Sequence, residues 1–163
     1  MNMPATTLPP AAIVQQLRDV LREAFEGSPH TWTYFTDSGP AGGILGTIEG
    51  IDAATASKPF GSSGTTIAGH VHHMAFSAGA STAWIRGDRS PRDWNESWRV
   101  TTVSSAEWAD LRDKLREEYH ELQAAVEDAA LASESSLGGA IGVVAHAAYH
   151  LAHIRQRVNE AKA

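Results

Sequence analysis

The sequence predicts an all-α protein built as a four-helix bundle, with long loops and a short extra helix. Three observations lead there. Apolar residues recur at helical spacing in four separate stretches. Clusters of Pro, Gly and Ser divide those stretches, and nowhere does a convincing strand-like alternation of apolar and polar residues appear. The 163 residues fit a single domain, 1–163, large enough to bury a core.

Pro9 and Pro10 suit the first turn of a helix, where a missing N–H costs little. Ile13, Leu17, Val20, Leu21 and Phe25 then mark an apolar face, with Arg18, Asp19, Arg22 and Glu23 between them, and Gly27-Ser28-Pro29 stops the helix. A loop from Ser28 to Pro40 carries Trp32, Tyr34 and Phe35. Gly42, Gly46 and Gly50, at intervals of four, form either the smooth side of a short helix approached by another backbone or a Gly-rich connector. After a loop at Pro59–Gly64, Thr65 or Thr66 caps a second helix reaching Trp84–Arg86. Gly87–Val103 is a long loop. Ser104 and Glu107 form the capping box of a third helix, whose stripe is Trp108, Leu111, Leu115, Tyr119, Leu122, Val126 and Ala129. Ser133–Gly139 breaks the chain, and a fourth helix runs from about Leu137 to Asn159. The second and fourth helices are poor in charge and are expected to be the more buried pair.

The net charge of −6, with no Lys/Arg cluster, argues against a nucleic-acid partner. There is no cysteine, so disulfides, thiolate ligands and a cysteine nucleophile are excluded; any thiol chemistry needs a thiol supplied by a small molecule. Met1–Pro10 lacks a basic stretch followed by an apolar run, and no segment reads as long and apolar enough to span a membrane. A cytoplasmic protein without a membrane partner is the expectation.

The chemistry-bearing residues are histidines. His146 and His150, four apart, project from one face of the fourth helix and can share one metal ion. Val143, Val144, Ala147, Ala148 and Leu151 surround them, and buried imidazoles need hydrogen-bond partners or a metal. The alternative is a pair of core histidines at a common spacing. A second cluster, His70-Val71-His72-His73, can supply a third nitrogen. Three neutral nitrogens suit Zn²⁺ or Ni²⁺ and leave a coordination position open. His72 reads as solvent-exposed, and His153 as a pocket residue, a support for the ligands or a plain buried histidine. His120 lies on a charged face, and His30 carries no signal. Tyr149 and Trp94 are candidate pocket residues; Trp94 and Trp98 either line a pocket or anchor the long loop.

Thr66-Ile67-Ala68-Gly69-His70-Val71-His72-His73-Met74 and His146-Ala147-Ala148-Tyr149-His150-Leu151-Ala152-His153-Ile154-Arg155-Gln156 resemble the second- and fourth-helix motifs of the DinB/YfiT-like four-helix-bundle metalloproteins. The resemblance covers most of the chain and implies an up-down-down-up bundle. It implies metal ligation by His146 and His150. The family pattern places the third ligand about seven residues after an S/T-[IV] start, which selects His73, with His70 the fallback. Family members commonly carry Gln where His153 stands. Arg155 and Gln156 also match family positions and are expected to tie the fourth helix to a neighbour. The activities implied are those of metal-dependent thiol S-transferases using bacillithiol, mycothiol or glutathione on small electrophiles. A metal-dependent hydrolase and a non-catalytic binding bundle are the alternatives, and a homodimer is the implied assembly.

Overall fold

The structure, a computed structural model, describes residues 7–162. Six α-helices and no strand occur among them: α1 (Pro10–Glu26), α2 (Ile44–Glu49), α3 (Ala53–Ala56), α4 (Ile67–Ile85), α5 (Ser105–Ala129) and α6 (Glu134–Lys162). The all-α bundle is therefore the observed fold class. The principal packing sets α4 against α5 and α6, and α1 against the same two helices, so α1 and α4 occupy opposite corners of the bundle.

Local chemistry explains the main boundaries. Pro9 precedes α1 in extended conformation, and Pro10 begins it. Thr66 caps α4, its hydroxyl accepting from the Gly69 N–H at 2.9 Å. The capping box of α5 is formed in both directions: Ser104 Oγ accepts from the Glu107 N–H, and the Glu107 carboxylate accepts from the Ser104 N–H. Between the helices, Phe25 stacks on Tyr119 with ring centroids 4.7 Å apart, and the buried Trp108 indole donates to the Ile51 carbonyl at 2.6 Å.

Four expectations are corrected. α6 begins at Glu134, so Ser133–Gly139 is largely helix rather than a break. Ser133 Oγ accepts the Ser136 N–H at 3.0 Å and starts the helix, and Gly139 lies within it, where a Cβ would come 2.7 Å from the Trp84 ring. α4 is buried along most of its length, but α6 buries one face only, through Ala140, Val143, Ala147, His150, Leu151, Ile154 and Val158; Ile141 and Tyr149 are more than half exposed. By length and composition α6 is also apolar enough to cross a membrane, contrary to the sequence reading, and here its apolar residues divide between that core face and an outer face. Finally, the close backbone approach expected near the spaced glycines falls on Gly42 and Gly43. A Cβ on Gly43 would lie 2.4 Å from the Gly27 nitrogen, whereas one on Gly50 would meet nothing within 4 Å.

Glu23, grouped by sequence with the polar face of α1, is 2% exposed. Its carboxylate accepts the backbone N–H groups of Tyr34, Phe35 and Thr36 at 2.7–2.9 Å, and the Thr36 hydroxyl at 3.1 Å. Burial raises the pKa of this carboxyl, but these hydrogen bonds outweigh it and hold the group below its ordinary value. Removing the acceptor strands donors, so Glu23→Ala is expected to destabilise the protein by about 2–4 kcal/mol. Because the folded pKa is depressed, the carboxylate's contribution is present above the unfolded value of 4.5 and is lost as pH falls below it. The stability gap between wild type and Glu23→Gln in urea, followed by circular dichroism, should therefore narrow below that pH.

Candidate metal centre

α4 and α6 meet with their histidines facing one another. His73 Nε2 lies 3.2 Å from His146 Nε2, and His150 Nε2 lies 3.0 Å from the same atom. One nitrogen from each of the three residues falls within 4.8 Å of the others. Three nitrogens bound tetrahedrally to one ion at the usual zinc distances would stand about 3.3 Å apart, so the cluster has nearly the dimensions an ion requires. His73 is thus the α4 histidine that joins the pair, in preference to His70.

The far nitrogens are all engaged. His73 Nδ1 faces Ser97 Oγ at 2.8 Å, and Ser97 sends its own hydroxyl hydrogen to the Trp94 carbonyl. Ser97 must therefore accept from His73 Nδ1–H, which leaves a bare lone pair on Nε2 of the neutral ring. His146 Nδ1 pairs with Ser77 Oγ at 3.0 Å, and His150 Nδ1 with His70 Nδ1 at 3.1 Å. A single hydrogen on His146 Nε2 can serve only one of its two facing nitrogens well, whereas a cation in their midst serves all three. The residues present therefore fit a divalent metal, held through Nε2 and oriented through Nδ1.

His73 and His150 are buried and His146 half-buried. Burial pushes His73 down to about 4 and His150 down to about 3, with neighbouring histidines adding to both shifts; burial also lowers His146. All three rings are accordingly neutral at neutral pH, the state a metal ligand needs.

The other candidates are distributed around this triad. His70, 4% exposed, supports His150 and leaves its own Nε2 buried without a partner. His153 stacks on His70 with centroids 5.6 Å apart and does not reach the triad. Tyr149 sets its ring edge-on to His150 and His153 but is 59% exposed on the outer face of α6, so it does not line the groove beside His146. Trp94 does line that groove, while Trp98 stacks on His73 at 4.2 Å. His72, read as exposed, is corrected: its Nδ1–H donates to the Ser97 carbonyl at 2.8 Å. Arg155 pairs with Asp37 across the bundle as expected, but Gln156 reaches only Glu160 on its own helix.

Ser97 and Ser77 escaped the sequence reading. Ser77 lies one turn beyond His73, a spacing that could have flagged it. Ser97 sits in a short 3₁₀ turn (Glu96–Trp98) of the long loop, where no periodicity points to it. The loop comes close to α4 at Gly69, where a Cβ would already lie 3.0 Å from the Val100 carbonyl.

Lowered histidine pKa values make the metal-free protein acid-sensitive. Unfolded histidines bind protons near pH 6.5, and the folded ones only near 3 to 4. Stability is complete above 6.5 and declines as pH falls through that interval. Denaturant unfolding of chelator-treated protein at pH 7.5, 6.5, 5.5 and 4.5 should show the decline; a flat profile would contradict it.

Comparison with curated proteins gives no match, and comparison with solved structures gives none. The sequence model of the DinB superfamily matches residues 13–154, which take in α4, α5, and all four histidines of the triad and its His70 support, and the chain belongs to that superfamily.

Proposed function

We propose that this protein is a divalent-metal-dependent enzyme that transfers a small external thiol to an electrophile. The observation that carries the proposal is the asymmetry of the triad. His73 and His150 are buried, while His146 borders a groove that a small molecule can enter. Three nitrogen ligands would leave a bound zinc or nickel ion an open coordination position. When bound, such an ion would favour the thiolate over the thiol of a molecule entering by its sulfur.

The rest follows from the chain. Ser97, Ser77 and His70 hold the three imidazoles in place through their Nδ1 atoms. The chain has no cysteine, so the nucleophilic sulfur is that of an external thiol, and the likeness to the superfamily's thiol S-transferases points to bacillithiol, mycothiol or glutathione. The S–H proton passes to solvent, a C–S bond forms at the electrophile, and its leaving group departs with the bonding pair. The groove's single lining carboxylate, Asp88, is already paired with Arg92 and the Ser90 N–H, so it is not a free base for water. The lack of a free base in the groove supports thiol transfer over hydrolysis.

Purified protein should hold close to one zinc or nickel per chain by elemental analysis. His73→Ala, His146→Ala and His150→Ala should each remove it while keeping helical circular dichroism. Consumption of one of the three thiols with monobromobimane, above the spontaneous rate, should require the metal and fall to that background in these variants; metal-independent rates with every thiol would refute transferase activity. Ser97→Ala and His70→Asn should weaken metal affinity by about 10–100-fold, measured by competition with a chromophoric chelator.

A further inference from the structure

The groove beside His146 encloses about 510 Å³, a size suited to a small organic ligand. Its lining is uneven. Trp84 and Trp94 supply flat apolar surface, and α6 contributes Gly142, where a Cβ would meet nothing within 4 Å, and Gly139, against which the Trp84 ring packs. Arg89 and Arg92 also line it, with Asp88 as the accompanying carboxylate.

The two guanidinium groups are held differently. Arg89 lies over the Trp84 ring with its central carbon 4.0 Å from the centroid, and it donates to the Trp84 carbonyl and to Ser135 Oγ. These contacts fix the plane of its fork. Arg92 gives one nitrogen to Asp88 at 2.6 Å. Two positive charges against one negative leave an excess of one, in a groove bordered at His146 by the proposed metal. A ligand that enters by its sulfur and carries a carboxylate complements these features: sulfur toward the triad, body on the tryptophans, carboxylate on the arginines.

We propose that Arg89 and Arg92 form a carboxylate-reading rim, so that the thiol this site takes is an acidic one rather than a neutral one. This rests on the metal-thiol reading above and narrows its substrate class. Asp88 competes with the ligand for Arg92, so it weakens binding and sharpens the requirement for a well-placed acid.

The probe is cobalt(II)-loaded protein titrated with ω-mercaptocarboxylic acids of increasing chain length, each beside its primary amide. Binding is read from the thiolate-to-cobalt charge-transfer absorption. At the best-fitting length the acid should bind about fivefold or more tightly than the amide, as expected for a partly exposed charge-assisted pair. Arg92→Ala together with Arg89→Ala should erase that preference, acid and amide then binding alike, and Asp88→Asn should increase it. Equal binding of acid and amide at every length would overturn the proposal, as would a preference that survives loss of both arginines or an Asp88→Asn variant that binds acids more weakly. A thiolate band without acid preference would leave the metal-thiol site standing and sink only the rim. Failure to take up cobalt would overturn the metal site, and the rim with it.

Discussion

The crowding of three imidazole nitrogens between α4 and α6 is the constraint on which this molecule turns. Nitrogens that carry lone pairs do not gather at 3.0–3.2 Å without something positive to share. The helices that carry them are held together by ordinary packing: Val71, Met74 and Ala78 on α4, and Val143, Ala147 and Leu151 on α6, are all buried. That apolar work pre-forms the triad, so the ordering entropy of the ligands is met by folding rather than by binding.

Orientation is a separate matter from proximity. An imidazole can turn about its side-chain bonds, and each of these three is steadied by a hydrogen bond at its far nitrogen. The partners come from unlike places: Ser77 from α4 itself, His70 from the turn before His73, and Ser97 from the α4–α5 loop. The loop thereby becomes part of the site's architecture. The same segment places Trp94 at the groove and, in Arg89 and Arg92, its charged edge.

What could be read in the sequence follows from the range of the interactions involved. His146 and His150 were legible because helical pitch alone puts residues four apart on one face. Choosing His73 over His70 needed the family spacing, since both are buried on α4, one turn apart. Ser97 was not legible, because its role depends on where a non-periodic loop crosses a helix. Glu23 was misread for the same reason: a charged residue on an amphipathic helix is ordinarily solvated, and the amides that bury it arrive from residues 34–36. The start of α6 was placed late because Gly138-Gly139 looks like a break until Trp84 is seen against it.

The stacking of Trp98 on His73 has an optical consequence. The rings lie nearly parallel, 16° apart, with centroids separated by 4.2 Å, and the edge of His70 meets the same indole. An excited indole is sensitive to charge on an imidazole it touches, and here the touched ring is one of the proposed ligands. Neutral, protonated and ion-bound states of His73 present that indole with three different electrostatic environments. The chain thus has an intrinsic chromophore seated against the triad, whose emission lifetime connects the occupancy of a buried cluster to a signal measurable without any added dye.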